Sequence, residues 1–246
     1  MNTYKADLHI HTILSPCASL EMSPKNIVQK ALEQKIDIIG ITDHNSTRQC
    51  KIVTREAIKE GLTVFPGVEV TTKEEIHCLA YFESFEKLDM FQTYLDEFLP
   101  DIKNNPDLFG YQIVVDEDEN IVFEEEKLLI SALSIGIDKL EEIVHQLNGI
   151  FIPAHVNKPK NSIISQLGFI PSNLKADAFE LSKHIDTESF KAQNQLTKNY
   201  TFVRNSDAHF LDQIGECSTQ LEMESAEYYE FLLALHDQSG RKVVIQ

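Results

Sequence analysis

Asp7-Leu8-His9-Ile10-His11-Thr12 is the stretch on which the reading of this chain turns. Side chains on a strand alternate between faces, so His9 and His11 point the same way, with Asp7 one step behind them. A core strand places Val, Ile or Leu at such positions. Two imidazoles on one face of one strand form a chelate for a metal ion. A surface strand with two incidental histidines would show the same local pattern, so the rest of the chain has to decide.

Working outward, polar residues recur at the ends of apolar runs. Ser23 reads as an N-cap with Pro24 at the first helical position, opening a helix over 24–35. Ile36 to Ile41 is an apolar run suited to a strand buried on both faces, and it ends in Thr42-Asp43-His44-Asn45. A helix over 47–60 follows. The strand over 62–70 carries Glu69 at its polar end, and the strand over 76–82 carries His77 near its start. Ile150 to His155 is a strand with His155 at its end, followed by Lys158. Strands are expected over 178–182 and 200–209, flanking a helix over 187–198. The second of them closes on Arg204-Asn205-Ser206-Asp207-Ala208-His209, where Asp207 and His209 repeat the spacing of the opening pair. A strand near 217–221, a helix over 224–236 and a last strand over 242–245 complete the pattern.

The segment from about 84 to 148 is different. It reads as a helix over 85–102, a hairpin over 112–123 with an acidic turn, and helices over 124–135 and 138–147. It offers no ligand cluster. We expect one domain over 1–246 with this segment as a small insertion, either a lid beside the mouth or extra barrel wall.

A (β/α) barrel needs ~250 residues, and the chain has 246, of which 42% are hydrophobic. A parallel barrel gathers strand ends at one mouth, where α/β folds place chemistry. The ligand types gathered there are His9, His11, His44, Glu69, His77, His155, Asp207 and His209. These exceed one tetrahedral site and suit two or three metals bridged by a carboxylate. Lys and Arg number 22 against 39 Asp and Glu, a net charge of −17. Such a surface repels long nucleic acid and anionic membrane. The four cysteines are widely spaced and suggest no disulfide framework, which points to a reducing cytoplasm. No signal peptide or membrane-spanning run is evident. His145, His184 and His236 match no motif, and His145 and His236 are expected on helix faces.

The motifs DLHIHT, ITDHN, GVEV, IHCLAYF, PAHV and NSDAH, in this order from residue 7 to 209, resemble the polymerase and histidinol phosphatase (PHP) superfamily of metal-dependent phosphoesterases. The resemblance implies an α/β fold, a distorted (β/α)7 TIM-like barrel, with two or three divalent ions (Zn, Mn or Fe). By position, it implies that His9, His11, Glu69 and Asp207 hold one ion. Glu69 bridges to a second ion completed by His77 and His155, and His44 and His209 serve a third. Many members carry a further His or Asp after the first motif. Here that region reads Ser15-Pro16-Cys17, which makes Cys17 a candidate thiolate ligand. The implied activity is hydrolysis of a phosphate ester of a small metabolite or nucleotide through a metal-bridging hydroxide. His209 or a metal-bound water would protonate the leaving group, and Asp207 would act at the reacting centre. Asp7 and Asp43 are placed to orient imidazoles. Lys158 is the candidate phosphate anchor, with Arg204 as a second. Two other readings stand beside it. An amidohydrolase-type enzyme also opens with H-x-H, but it ends in a lone Asp and lacks a counterpart here for its carbamylated Lys. A non-catalytic metal-binding PHP module is the other.

Overall fold

The computed structural model describes residues 1–194, 197 and 199–244. In chain order the elements are β1 (Asn2–Ile10), α1 (Pro24–Glu33), β2 (Ile38–Ile41), α2 (Cys50–Lys59), β3 (Thr63–Thr71) and β4 (His77–Tyr81). Then come α3 (Phe85–Phe98), α4 (Pro106–Phe109), β5 (Ile113–Val115), β6 (Ile121–Glu124), α5 (Ile137–Gln146), β7 (Ile150–Pro153) and α6 (Ile163–Leu167). The chain continues with β8 (Phe179–Leu181), α7 (Thr187–Gln193), β9 (Phe202–Arg204), β10 (Thr219–Met223), α8 (Tyr228–Leu235) and β11 (Lys242–Val244). The expected end of the helix over 187–198 falls partly on residues 195, 196 and 198, and the expected last strand reaches Ile245. Those positions lie outside the described residues.

Seven strands form one sheet in the order β11-β10-β1-β2-β3-β4-β7. The strands β1, β2 and β3 run parallel, as their continuous apolar runs require. β4 runs antiparallel to both β3 and β7, and β10 antiparallel to β1. The sheet of the expected distorted barrel is therefore mixed and curled rather than wholly parallel. This reversal serves the site. Because β4 is inverted, its first residue, His77, arrives at the same end as the last residues of β3 and β7.

The parallel pair β8–β9 fills the gap between the edge strand β7 and β1. On one side, Val156 N donates to Glu180 O at 2.8 Å. On the other, the loop after β9 bridges β1, with Ile10 paired in parallel to Ala208. The result is a distorted TIM-like α/β barrel. Leu8, Ile38, Phe65, Leu79, Tyr81, Ile152 and Val203 pack inside it, and the helices cover it with a second apolar layer.

The segment over 84–148 buries Leu88, Phe91, Leu95, Val114, Leu129 and Leu133 in that same outer layer. Its expected hairpin forms as β5–β6. The expected helix over 124–135 does not form. Its backbone donors turn to neighbouring strands and loops instead, Leu128 N to Ile102 O at 2.7 Å and Leu133 N to Thr71 O at 2.8 Å. Ser23 stands at the N-cap of α1 with extended backbone, but its hydroxyl donates to Glu119 Oε1 at 2.5 Å rather than capping. Among the described residues, no helix is long and apolar enough to cross a membrane.

Candidate metal centre

The mouth of the barrel gathers side chains from six places in the chain. β1 supplies His9 and runs on to His11. The tip after β2 supplies His44, β3 supplies Glu69 and β4 His77. His155 follows β7, and Asp207 and His209 follow β9. All but His77, Asp207 and His209 are buried. Two of these positions sit in left-handed backbone, His155 at φ 29° and Asp207 at φ 55°. Non-glycine residues are held there only when their surroundings fix them.

Glu69 is the hub. Its Oε1 lies 2.9 Å from His77 Nδ1, 3.1 Å from His155 Nε2 and 3.4 Å from His9 Nε2. Its Oε2 lies 3.3 Å from His11 Nε2 and 3.1 Å from His44 Nδ1. Asp207 Oδ1 stands 3.4 Å from His9 Nε2 and 3.5 Å from His11 Nε2. Three groups with metal-binding spacing result: His9, His11, Glu69 and Asp207; His44, Glu69 and His77; and His11, His44 and His209. The first has the membership expected from the motifs. In the second, His44 stands where His155 was expected; His155 touches Glu69 but lies outside the three groups.

The donor set fits divalent cations. Ser15 Oγ donates to Asp43 Oδ1 at 2.7 Å, so it accepts from His11 Nδ1 at 2.9 Å. His9 Nδ1 is held by both oxygens of Glu180 at 3.1 Å. Each ring thus turns Nε2 toward the centre, and the two Nε2 atoms face one another at 3.2 Å. His155 Nδ1 is buried without a partner, and His44 Nδ1, though near Glu69, makes no aligned hydrogen bond. Facing nitrogens beside two carboxylates call for a positive charge between them.

The electrostatics agree. Burial works against a charged His9, yet Glu180, Asp207 and Glu69 lift its pKa well above the ordinary range, and Asp207 and Glu69 raise His11 against the same burial. Burial would raise Glu69 and Asp207, yet both are held well below usual, Glu69 by His77, His9 and His44, and Asp207 chiefly by His9 and His11. Burial pushes His44 down to about 4 and His209 to about 3, which leaves their ring lone pairs free at neutral pH.

Other expected residues have different surroundings. Lys158 Nζ pairs with Asp207 Oδ2, at one side of a cleft of 190 Å³ also lined by Ser182, Lys183, Asn205 and Ser206. Arg204 is not brought to this cleft. Its Nη2 donates to Lys183 O at 3.1 Å, because the strand alternation gives the inward place to Asn205. Cys17 is exposed and belongs to none of the three groups. Asp7 touches no imidazole. It accepts from Ser206 N at 3.0 Å and Gly215 N at 2.9 Å, and so fixes the loop that carries Asp207. Asp43 reaches His11 only through Ser15. His145 on α5 and His236 at the end of α8 both bond Asp177, at 3.3 and 2.8 Å. The residue that sequence reasoning passed over is Glu180. It sits mid-strand in an apolar run, and its acidic side chain there was the available signal.

A family model described as the PHP domain matches residues 7–200. The uncharacterized protein YqxK of Bacillus subtilis is 26% identical over 276 residues, covering 99% of this chain and 65% of the relative. The 5'-3' exoribonuclease Rnm of Salmonella typhimurium is 34% identical over 73 residues, 29% of this chain and 24% of the relative. Among solved structures, the lesion-specific endonuclease PfuEndoQ from Pyrococcus furiosus superposes with a TM-score of 0.77 at 18% identity, over 98% of this chain and 58% of that chain. At that identity the likeness is one of fold. The chain spans less than two thirds of the length of these curated relatives. The family match takes in the strand ends from His9 to His155, and the chain belongs to the PHP domain family, a superfamily of metal-dependent phosphoesterases.

Proposed function

We propose that this chain hydrolyses phosphate esters of small metabolites or nucleotides with two or three divalent cations held at the barrel mouth. The observation that carries the reading is Glu69, whose two buried oxygens face five imidazoles and so are shared between adjoining ligand groups. His9, His11, Glu69 and Asp207 would hold one cation. Glu69 with His77 and His155 would hold a second, and His44 and His209 would serve a third. When bound, such cations supply an activated water near neutral pH and positive charge opposite the phosphoryl oxygens. The chain's own residues bind and orient. Lys158, tethered to Asp207, lines the cleft and would meet the phosphate of an incoming ester. A water at the centre would protonate the departing oxygen, because His209 is neutral, directs Nδ1–H at Asp207 O and offers only a lone pair at its other nitrogen. Cys17 and Arg204 are left out of this machinery.

A second reading, cleavage of a phosphodiester in short nucleic acid, is favoured by the nuclease names of two relatives, the exoribonuclease Rnm and the endonuclease PfuEndoQ. The net charge of −17 weighs against long duplexes. Protein loaded with manganese or zinc is assayed on p-nitrophenyl phosphate, nucleoside monophosphates and short 5'-labelled oligoribonucleotides. Phosphate release from the first two supports the proposal, and shortening of the oligomers alone moves it to the second reading. His9→Ala should keep its fold by circular dichroism and lose at least ~100-fold in rate, the scale on which lost metal positioning acts. Activity like that of the wild type in this variant would refute the metal assignment.

A further inference from the structure

Glu180 lies on β8, in the short sheet between β7 and β1, and is 1% exposed. It reaches three ligand-bearing strand ends at once. Both of its oxygens take His9 Nδ1 at 3.1 Å. Oε2 accepts from His155 N at 2.9 Å, and Oε1 from Asn205 Nδ2 at 2.8 Å. Asn205 in turn accepts from Leu8 N at 2.9 Å, next to His9. The backbone it grips at His155 has φ 29°, and the turn beyond Asn205 carries Asp207 at φ 55°.

We propose that Glu180 is the positioning residue of the metal centre, a buried acceptor that aims His9 and sets the spacing between the ends of β1, β7 and β9. The proposal rests on the metal reading above. Its chemistry is specific to a carboxylate. Glu180 meets donors at both oxygens, and only an ionised carboxylate accepts at both. A glutamine has nearly the same shape but must turn an N–H₂ group toward one set of donors. If that group faces His9, it drives the ring proton to Nε2 and closes the lone pair that points at the centre.

The test measures zinc affinity by competition with a chromophoric chelator, together with thermal midpoints of the metal-free and zinc-loaded forms. It compares the wild type with Glu180→Gln and Glu180→Ala. Glu180→Gln should keep a metal-free midpoint near that of the wild type while binding zinc 10–100-fold more weakly, the usual cost of losing such a partner. Zinc affinity within twofold of the wild type in Glu180→Gln overturns the proposal, whatever its midpoint. A role in folding alone would lower both midpoints equally and leave the affinity unchanged. Amide exchange at His155 gives a second readout, since it should quicken in both variants. Failure of the wild type to take up any divalent cation would instead sink the metal reading itself.

Discussion

Asp43 shows how a single buried side chain can govern the site at one remove. It accepts from Thr12 N, Thr12 Oγ1 and Ser15 Oγ, all at 2.7 Å, and Ser15 holds His11. Burial raises its carboxyl, and these bonds oppose that rise. Asp43→Ala leaves three buried donors without an acceptor, and we expect a loss of about 3 kcal/mol in urea unfolding. His209 makes a pH prediction. Its folded pKa, about 3, lies below the ordinary 6.5, so the unfolded chain binds the proton more readily. The stability it contributes is present above about 6.5 and is lost as pH falls from there toward 3. The metal-free thermal midpoint should therefore drop less between pH 6.5 and 4 in His209→Asn than in the wild type. An equal drop would show that the fold does not hold His209 as a neutral ring.

At the scale of elements, the contact between β1 and β2 is as close as two backbones allow. A Cβ on Gly40 would meet Leu8 O at 2.2 Å and Leu8 Cα at 2.8 Å, and backbone cannot give way as a side chain can. We expect Gly40→Ala to cost at least the ~1–3 kcal/mol typical of overpacked cores, measured by chemical denaturation, with weaker metal uptake because His9 moves with β1. The segment over 84–148 makes a different prediction. Phe91, 1% exposed, packs on Phe82 with ring centroids 4.8 Å apart. Phe91→Ala should cost about 3–5 kcal/mol. A cost below about 1 kcal/mol would mean that this segment is a loosely attached lid rather than barrel wall.

For the whole molecule, the acidic balance and the cation cluster act together. Glu69, Asp207 and Glu180 converge on His9, the first and last of them buried and Asp207 partly so, so the folded state is stabilised by whatever positive charge enters. A ligand at a hundred times its Kd adds about 2.7 kcal/mol, which for a chain of this size is ~5–10 °C in the thermal midpoint. Prolonged dialysis against a chelator should lower the midpoint by that amount, and re-addition of zinc or manganese should restore it. An unchanged midpoint would argue that the cluster binds no cation tightly.

Much of this was legible in the chain itself. His9 and His11 share a face because a strand alternates, and the apolar runs ending in His44, Glu69 and His155 announce strands whose tips carry chemistry. Local rules suffice there because the pattern repeats within a few residues. Tertiary structure decided what depends on distant neighbours. The inversion of β4 turns a histidine at a strand's start into one at the mouth. The backbone donors of 125–135 leave a plausible helix for contacts on other strands and loops. Glu180 becomes a hub only because β8 closes the ring between β7 and β1. No local pattern encodes these outcomes, since a hydrogen bond between residues 9 and 180 exists only once the sheet has curled.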